Sequence, residues 1–255
     1  MHPRTLLAAC MLAALPACMH VAATAELGYG RFALDGNFGY VSGSSTSVSQ
    51  DVKSAFGLGD ERDVPYARGE LELGNSVITL SGFSFEESGT GTLQQNFGNS
   101  PVLIAGTPVR SEFELWNVKA SYAFEIPIVP GIASVAPGIA VDYIDLNLRV
   151  QDVIGIATEE AHLDAPIPLL FVRAKGALGP VSAVADVGYM KLRVDQVDLE
   201  LLDAEARLEV RPLPLVHLFL GYRLLALNGS GRVDNNFVDA DLSLGGFVIG
   251  GGVTF

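Results

Sequence analysis

"LLDAEARLEVR", Leu201 to Arg211, is the stretch that decides the fold. Leu202, Ala204, Ala206, Leu208 and Val210 fall on one side of an extended chain. Asp203, Glu205, Arg207, Glu209 and Arg211 fall on the other. A period of two sends successive side chains to opposite faces, so this is a strand with one apolar and one charged face. "VHLFLGYRL" repeats the pattern, with Val216, Leu218, Leu220, Tyr222 and Leu224 against His217, Gly221 and Arg223. "FALDGNFGY" sets Phe32, Leu34, Phe38 and Tyr40 against Ala33, Asp35, Asn37 and Gly39.

Segments of this kind run near residues 30–41, 66–73, 76–86, 110–126, 132–150, 164–178, 181–195, 198–211, 215–228 and 239–255. One of them changes phase. Tyr143 and Ile144 are adjacent apolar residues, after which Leu146, Leu148 and Val150 take the other parity, and this predicts a β-bulge. The links between segments take turns in length, except that the one near residues 195–197 is short where a long one is due. Gly74-Asn75 and Gly179-Pro180 are tight-turn signals, and "PIVPG" (Pro127–Gly131) and "PLP" (Pro212–Pro214) are short. Ser42–Pro65, Glu87–Val109, Gln151–Leu163 and Gly229–Val238 are longer and polar. Turns at one end and loops at the other predict an all-β, up-and-down antiparallel sheet closed into a barrel of about ten strands, with eight as the alternative.

Alternation does not say which face is outside. A soluble lipocalin-like periplasmic barrel buries its apolar face, whereas a transmembrane barrel turns that face to lipid. Several segments are far longer than the roughly 5–6 residues usual for soluble strands. Aromatic residues stand toward segment ends at Tyr40, Tyr66, Phe85, Tyr122, Phe124 and Tyr143, as candidate interface girdles. The transmembrane reading follows, and its polar face lines a lumen. The candidate lumen charges are Arg173, Lys175, Asp203, Glu205, Arg207, Glu209 and Arg223. Arg31, Asp35, Arg68, Glu70, Glu72, Lys119, Asp186, Lys191, Arg193 and Arg211 share their parity pattern. In a narrow barrel such charges satisfy one another, so a plug of ion pairs is favoured over a selective pore.

Residues 1–25, "MHPRTLLAACMLAALPACMHVAATA", read as a signal peptide: Arg4, an apolar stretch, and a small-residue ending at Ala23-Thr24-Ala25. Residues 26–255 are then one barrel domain. "LPAC" (Leu15–Cys18) is the rival, a lipoprotein signal. Both cysteines lie in this leader, so the exported chain is expected without a disulfide. The formal net charge of -13 argues against a nucleic-acid partner.

The last strand is "GGFVIGGGVTF", Gly245 to Phe255. By parity Phe247, Ile249, Val253 and Phe255 face lipid, with Phe255 closing the set at the periplasmic girdle. A terminal aromatic residue on such a strand resembles the signal read by the outer-membrane assembly machinery. Gly246, Gly250 and Gly252 fall on the lumen side, where they leave room opposite bulky charges. The expected partners are therefore outer-membrane lipid and that machinery, with the chain monomeric.

Few residues suggest chemistry. His162, in "EEAHLDAP", is expected in a solvated loop, and His217 reads as an interface or lumen side chain. Neither is expected to be catalytic. Asp60, Glu61 and Asp63 lack EF-hand spacing and read as a solvated acidic loop, so no metal or cofactor is expected. In the long loop that holds them, Ser49 or Asp51 is placed to cap a helical turn over Val52–Phe56, with Gly57 ending it. The apolar Val52, Phe56 and Leu58 then need cover, either as a lid on the barrel mouth or against lipid.

The leader, the Asp-Val-Lys…Phe-Gly-Leu-Gly-Asp-Glu loop (Asp51–Glu61) and the Gly-Gly-rich last strand resemble a family of small proteobacterial outer-membrane β-barrels. That family has a C-terminal Gly-Gly feature and sits in the OmpW/OmpA-like barrel group. The resemblance implies a barrel in the outer membrane of a Gram-negative bacterium and no catalytic or binding residues. The expected function is non-enzymatic: an envelope structural role or narrow passage of small molecules. The alternatives are an enzyme acting on envelope lipid, and an adhesin or receptor acting through the long loops.

Overall fold

The computed structural model describes residues 21–42, 49–194, 197–233 and 236–255. Residues 1–20, including both cysteines and most of the expected signal peptide, lie outside the described residues. Ten long strands form the ring. They are β1 (Val21–Ser42), β3 (Arg62–Leu73), β4 (Ser76–Thr92), β5 (Pro108–Phe124), β7 (Ala133–Asp152), β8 (Thr158–Leu178), β9 (Val181–Val194), β10 (Val197–Leu213), β11 (Val216–Val233) and β12 (Asn236–Thr254). Each pairs antiparallel with the next, and β12 returns to β1 from Thr24↔Thr254 to Ser42↔Asn236, which closes the sheet. Two short strands sit off the ring path: β2 (Gln50–Asp51) beside β1 and β6 (Ile126–Val129) beside β7. The only helix among the described residues is α1 (Val52–Phe56).

β1 starts at Val21, ahead of the boundary expected at Glu26. Val21 to Ala25 are laddered to β3, and Ala23 exchanges both backbone bonds with Phe255 (3.1 and 2.8 Å).

Most strands run further toward the loop end than their apolar alternation. β4 continues to Thr92, β8 begins at Thr158, and β11 reaches Val233. The cause is an inversion of faces along each strand. In the half nearest the chain termini, outward residues are apolar, as in Leu27 and Tyr29 of β1, Trp116, Tyr122 and Phe124 of β5, and Leu218 and Leu220 of β11. Past that belt the same parity turns polar. Arg31 follows Tyr29, Glu114 precedes Trp116, Asp145 follows Tyr143, and Lys191 follows Tyr189. Inside the barrel the change is opposite. Phe32, Leu34, Phe85, Phe113, Leu146, Leu227 and Leu244 are buried in the outer half, and charges are buried in the inner half. A tilted strand crosses a hydrocarbon layer in about 9–11 residues. Beyond it the surroundings are water, so apolar side chains do better inside.

This inversion corrects the expected bulge. β7 pairs without a break from Val109↔Asp152 to Ala123↔Gly138 on one side and from Gln151↔Thr158 to Ala133↔Gly176 on the other. Tyr143 faces out and Ile144 in, on one regular strand that leaves the belt between them. Among the described residues, register shifts occur only at the turn end, between Pro127 and Val129 and between Val210 and Leu213. The girdle expectation is corrected in the same way. Tyr122, Phe124 and Tyr143 face outward, and Tyr143 meets Trp116 edge to face at 6.1 Å. Tyr66 and Phe85 are instead buried in the interior.

Candidate functional site

The inner half of the barrel holds a continuous set of buried ion pairs. Period-two strands with apolar residues outward necessarily turn their charged residues inward here. Arg223, from β11, is fully buried and donates to Asp203 (2.7 Å) and Asn117 (2.9 Å), with Glu205 at 3.4 Å. Lys119 donates to the other oxygen of Asp203. Arg207 reaches Glu205 and Glu209, each at 3.1 Å, and donates to Glu26. Arg68 and Arg173 share Asp186, at 2.9 and 2.7 Å, and Arg173 also bonds Glu70 at 2.8 Å. Lys175 closes the set toward the chain termini, 3.0 Å from Glu72. A charge removed from water costs several kcal/mol unless it is paired and hydrogen-bonded. Each carboxylate named here has a cation within salt-bridge distance.

All seven candidate lumen charges face this interior: Arg173, Lys175, Asp203, Glu205, Arg207, Glu209 and Arg223. Arg68, Glu70, Glu72, Lys119 and Asp186 join them. Five residues expected in the lumen do not. Arg31 and Asp35 stand outside the barrel in exposed pairs with Glu61 (2.8 Å) and Lys53 (2.7 Å). Lys191 and Arg193 stand outside in pairs with Glu200 and Asp198. These four lie past the belt, where the polar face is the outer one. Arg211 is exposed at the rim near the chain termini. Parity reasoning missed Glu26 and Asp142. Glu26 was legible as the first inward residue before Gly28 and Gly30, and Asp142 as the residue opposite Lys119.

His217 is a lumen residue, with Nε2 2.8 Å from Glu26. Its Nδ1 has no hydrogen-bond partner, so no hydroxyl is held against it. His162 stands on β8, not in a loop, exposed and 3.6 Å from Asp145. Asp60 and Glu61 are drawn apart into pairs with Arg62 and Arg31, and no metal-holding group of acids or histidines occurs among the described residues.

The outer half of the interior is packed with apolar side chains. Its residual cavity, lined by Leu34, Phe113, Ile144 and Leu242 among others, holds about 20 Å³. Arg223 stacks on Phe83 (4.9 Å to the ring centre) where the charged and apolar halves meet. The loops roof the apolar half. Asp51 caps α1 by accepting from the backbone N–H of Ser54 (2.8 Å), and Gly57 ends it in the left-handed region at φ 70°. Val52, Phe56 and Leu58 are buried under this roof, where Phe56 and Phe97 meet edge to face at 5.5 Å. Glu87 latches the segment by accepting from the backbone N–H of Gly59 and Asp60, at 2.9 and 2.8 Å. At the opposite end a vestibule of about 350 Å³ opens toward the chain termini, lined in part by Glu72, Lys175, Arg211, His217 and Phe255.

In the last strand Phe247, Ile249 and Val253 face outward, and Phe255, one residue past its end, is exposed at the rim beside the vestibule. The lumen glycines make room for rings more than for the expected bulky charges. A Cβ on Gly250 would lie 2.6 Å from the Phe219 ring, one on Gly246 2.6 Å from Phe32, and one on Gly252 2.6 Å from His217.

A closed antiparallel ring with an apolar outer belt, turns at one rim and loops at the other defines the class: the fold is that of an outer-membrane β-barrel. It is similar to the outer membrane protease OmpT from Escherichia coli, with a TM-score of 0.53 and 8% identity, over 92% of this chain and 96% of that one. Ail, the attachment invasion locus protein of Yersinia pestis, aligns with a TM-score of 0.37 and 11% identity, over 92% of this chain and 98% of that one. Neisserial surface protein A aligns with a TM-score of 0.38 and 10% identity, over 93% of this chain and 99% of that one. No protein-family model matches the sequence, and no curated protein matches it.

Proposed function

We propose that the chain is a non-conducting, non-enzymatic protein of the Gram-negative outer membrane, with an envelope structural role exercised through the part that stands above the lipid. One observation carries this reading: above the vestibule at the terminus end, the interior is filled. Passage of a solute needs a continuous wet path. Here the inner half is occupied by paired charges and the outer half by packed Phe and Leu side chains under a latched roof. Membership of the small proteobacterial family with the C-terminal Gly-Gly feature belongs to the same reading, as does delivery by an N-terminal signal peptide. It rests on the Asp51–Glu61 loop and the last strand.

Planar-bilayer recording tests it. Purified protein is expected to insert without steady conductance steps, while a general porin in the same bilayer conducts. Reproducible single-channel openings would overturn the reading in favour of passage.

A second reading, a surface receptor or adhesin, is favoured by a specific feature. The strands extend well past the belt and carry outward acids there, including Glu86, Glu112, Glu114, Asp145, Glu160 and Asp164.

A further inference from the structure

The hairpin joining β7 to β8 ends in an exposed apolar tip. Val153, Ile154 and Ile156 are 61%, 84% and 71% exposed. Isolated exposed hydrophobic residues are ordinary, but a cluster held in one shape far from the lipid belt is not. The tip is held by Asp152. Its carboxylate accepts from the backbone N–H of Ile154 (3.1 Å), Ile156 (2.7 Å) and Ala157. Gly155 supplies the turn at φ 81°, and its N–H donates to the Asp152 carbonyl at 2.9 Å. Val153 is tied to the start of β5 through its N–H and the Pro108 carbonyl at 3.2 Å. Three apolar side chains are thus presented by a backbone that is already ordered, so a partner would not have to meet the cost of ordering it.

The flank below the tip is acidic. On β5, β7 and β8 the outward side chains include Glu112, Glu114, Asp145, Glu160 and Asp164, with Arg110 and Arg149 as the only lysine or arginine cations on that face. Asp145 and Asp164 stand directly opposite one another across the ladder. His162 lies 3.6 Å from Asp145 and Arg149 3.5 Å from Glu160, but the five acids still outnumber the two arginines, and the deficit of cations can be made up by a partner.

We propose that this tip and flank form a docking surface for a cationic amphipathic peptide segment. Its apolar stripe seats on Val153, Ile154 and Ile156, and its lysine or arginine residues meet the acids of β5, β7 and β8. The inference deepens the receptor reading and rests on it. An anionic lipid surface is disfavoured by the same acids, and the tip points away from the chain's own membrane belt.

The test uses the full chain in zwitterionic lipid nanodiscs, with a labelled amphipathic helix of Leu and Lys as probe and empty discs as the blank. Fluorescence anisotropy should show binding that weakens with added salt. The double variant Ile154→Ser/Ile156→Ser should bind about tenfold or more weakly. Glu112→Gln/Glu160→Gln should lose affinity and most of the salt dependence. Gel mobility before and after boiling checks that each variant remains folded. The proposal is overturned if the probe does not bind, or if the Ile variant binds as well as the parent. It is also overturned if the tip residues instead govern binding to phosphatidylglycerol vesicles or self-association in sedimentation. None of these outcomes bears on conductance, so failure here leaves the non-conducting reading to its own experiment.

Discussion

Arg223 is the residue on which the charged half of the interior converges. It is fully buried, bonded to Asp203 and Asn117, and stacked on Phe83. Replacing it by Ala takes one of two cations from buried Asp203, which keeps Lys119, and leaves Glu205 to Arg207 and Arg68. Breaking a buried pair from one side costs about 3–5 kcal/mol. Arg223→Ala is therefore expected to lower the free energy of unfolding, measured by urea titration in micelles, by that order. The double change Arg223→Met/Asp203→Asn is expected to recover part of the loss, because both charges then leave together. A double variant no more stable than the single would mean that the pair is not the source of the effect. Gly250 poses the opposite problem, since a Cβ there would sit 2.3 Å from the Leu27 carbonyl oxygen as well as against Phe219. Gly250→Ala is expected to cost about 1–3 kcal/mol through overpacking in the same unfolding assay.

Two loop elements take their shape from one carboxylate each. Glu87 latches the segment after α1, and Asp152 holds the β7–β8 tip. Phe56 is the main apolar payload of α1 and is fully buried. Phe56→Ala is expected to cost about 3–5 kcal/mol and to release protection of the Val52–Phe56 amides in hydrogen exchange. In the parent chain those amides should exchange as slowly as strand amides, and fast exchange there would remove the roof from the account. Asp152 lies beyond the belt, and the backbone N–H of Ala157, followed by those of Ile156 and Ile154, holds its carboxyl below the usual aspartate range. A lowered value in the folded chain means the contribution is complete above the ordinary value of 3.8 and is lost as pH falls through the lowered one. The Ile154, Ile156 and Ala157 amide resonances should therefore stay native at pH 4 and move together only in stronger acid. Movement centred at the ordinary value would contradict the cradle. β1 makes a further prediction at this scale. Cleavage before Glu26 would delete Val21–Ala25 and the Ala23–Phe255 bonds, so the intact mass of membrane-extracted protein is expected to retain Val21.

At the scale of the molecule, the barrel is two solvent regimes on one set of strands. The ladder from Thr24↔Thr254 to Ser42↔Asn236 closes it at β1–β12, and Phe255 extends that seam by one residue through both backbone groups to Ala23. Deleting Phe255 is expected to lower the yield of heat-modifiable protein in the outer membrane, and an unchanged yield would count against its role as an assembly signal.

Period-two alternation marked the strands and set Arg173, Lys175, Asp203, Glu205, Arg207, Glu209 and Arg223 on their polar faces, because parity is a property of the backbone; strand length and aromatic placement chose those faces as the inner ones. Gly57 likewise marked the end of α1 and Ser49 or Asp51 its start, since caps are local chemistry, and the structure chose Asp51. What parity could not carry was the level at which a strand leaves lipid. Arg31, Asp35, Lys191 and Arg193 were expected inside and stand outside, and Tyr66 and Phe85 the reverse. The phase change at Tyr143–Ile144 looked like a bulge for the same reason. Only the tertiary structure, by aligning the levels of ten neighbouring strands, showed where the surroundings of the outer face change from hydrocarbon to water. At that level the preferred side for every apolar residue changes while the backbone continues unaltered.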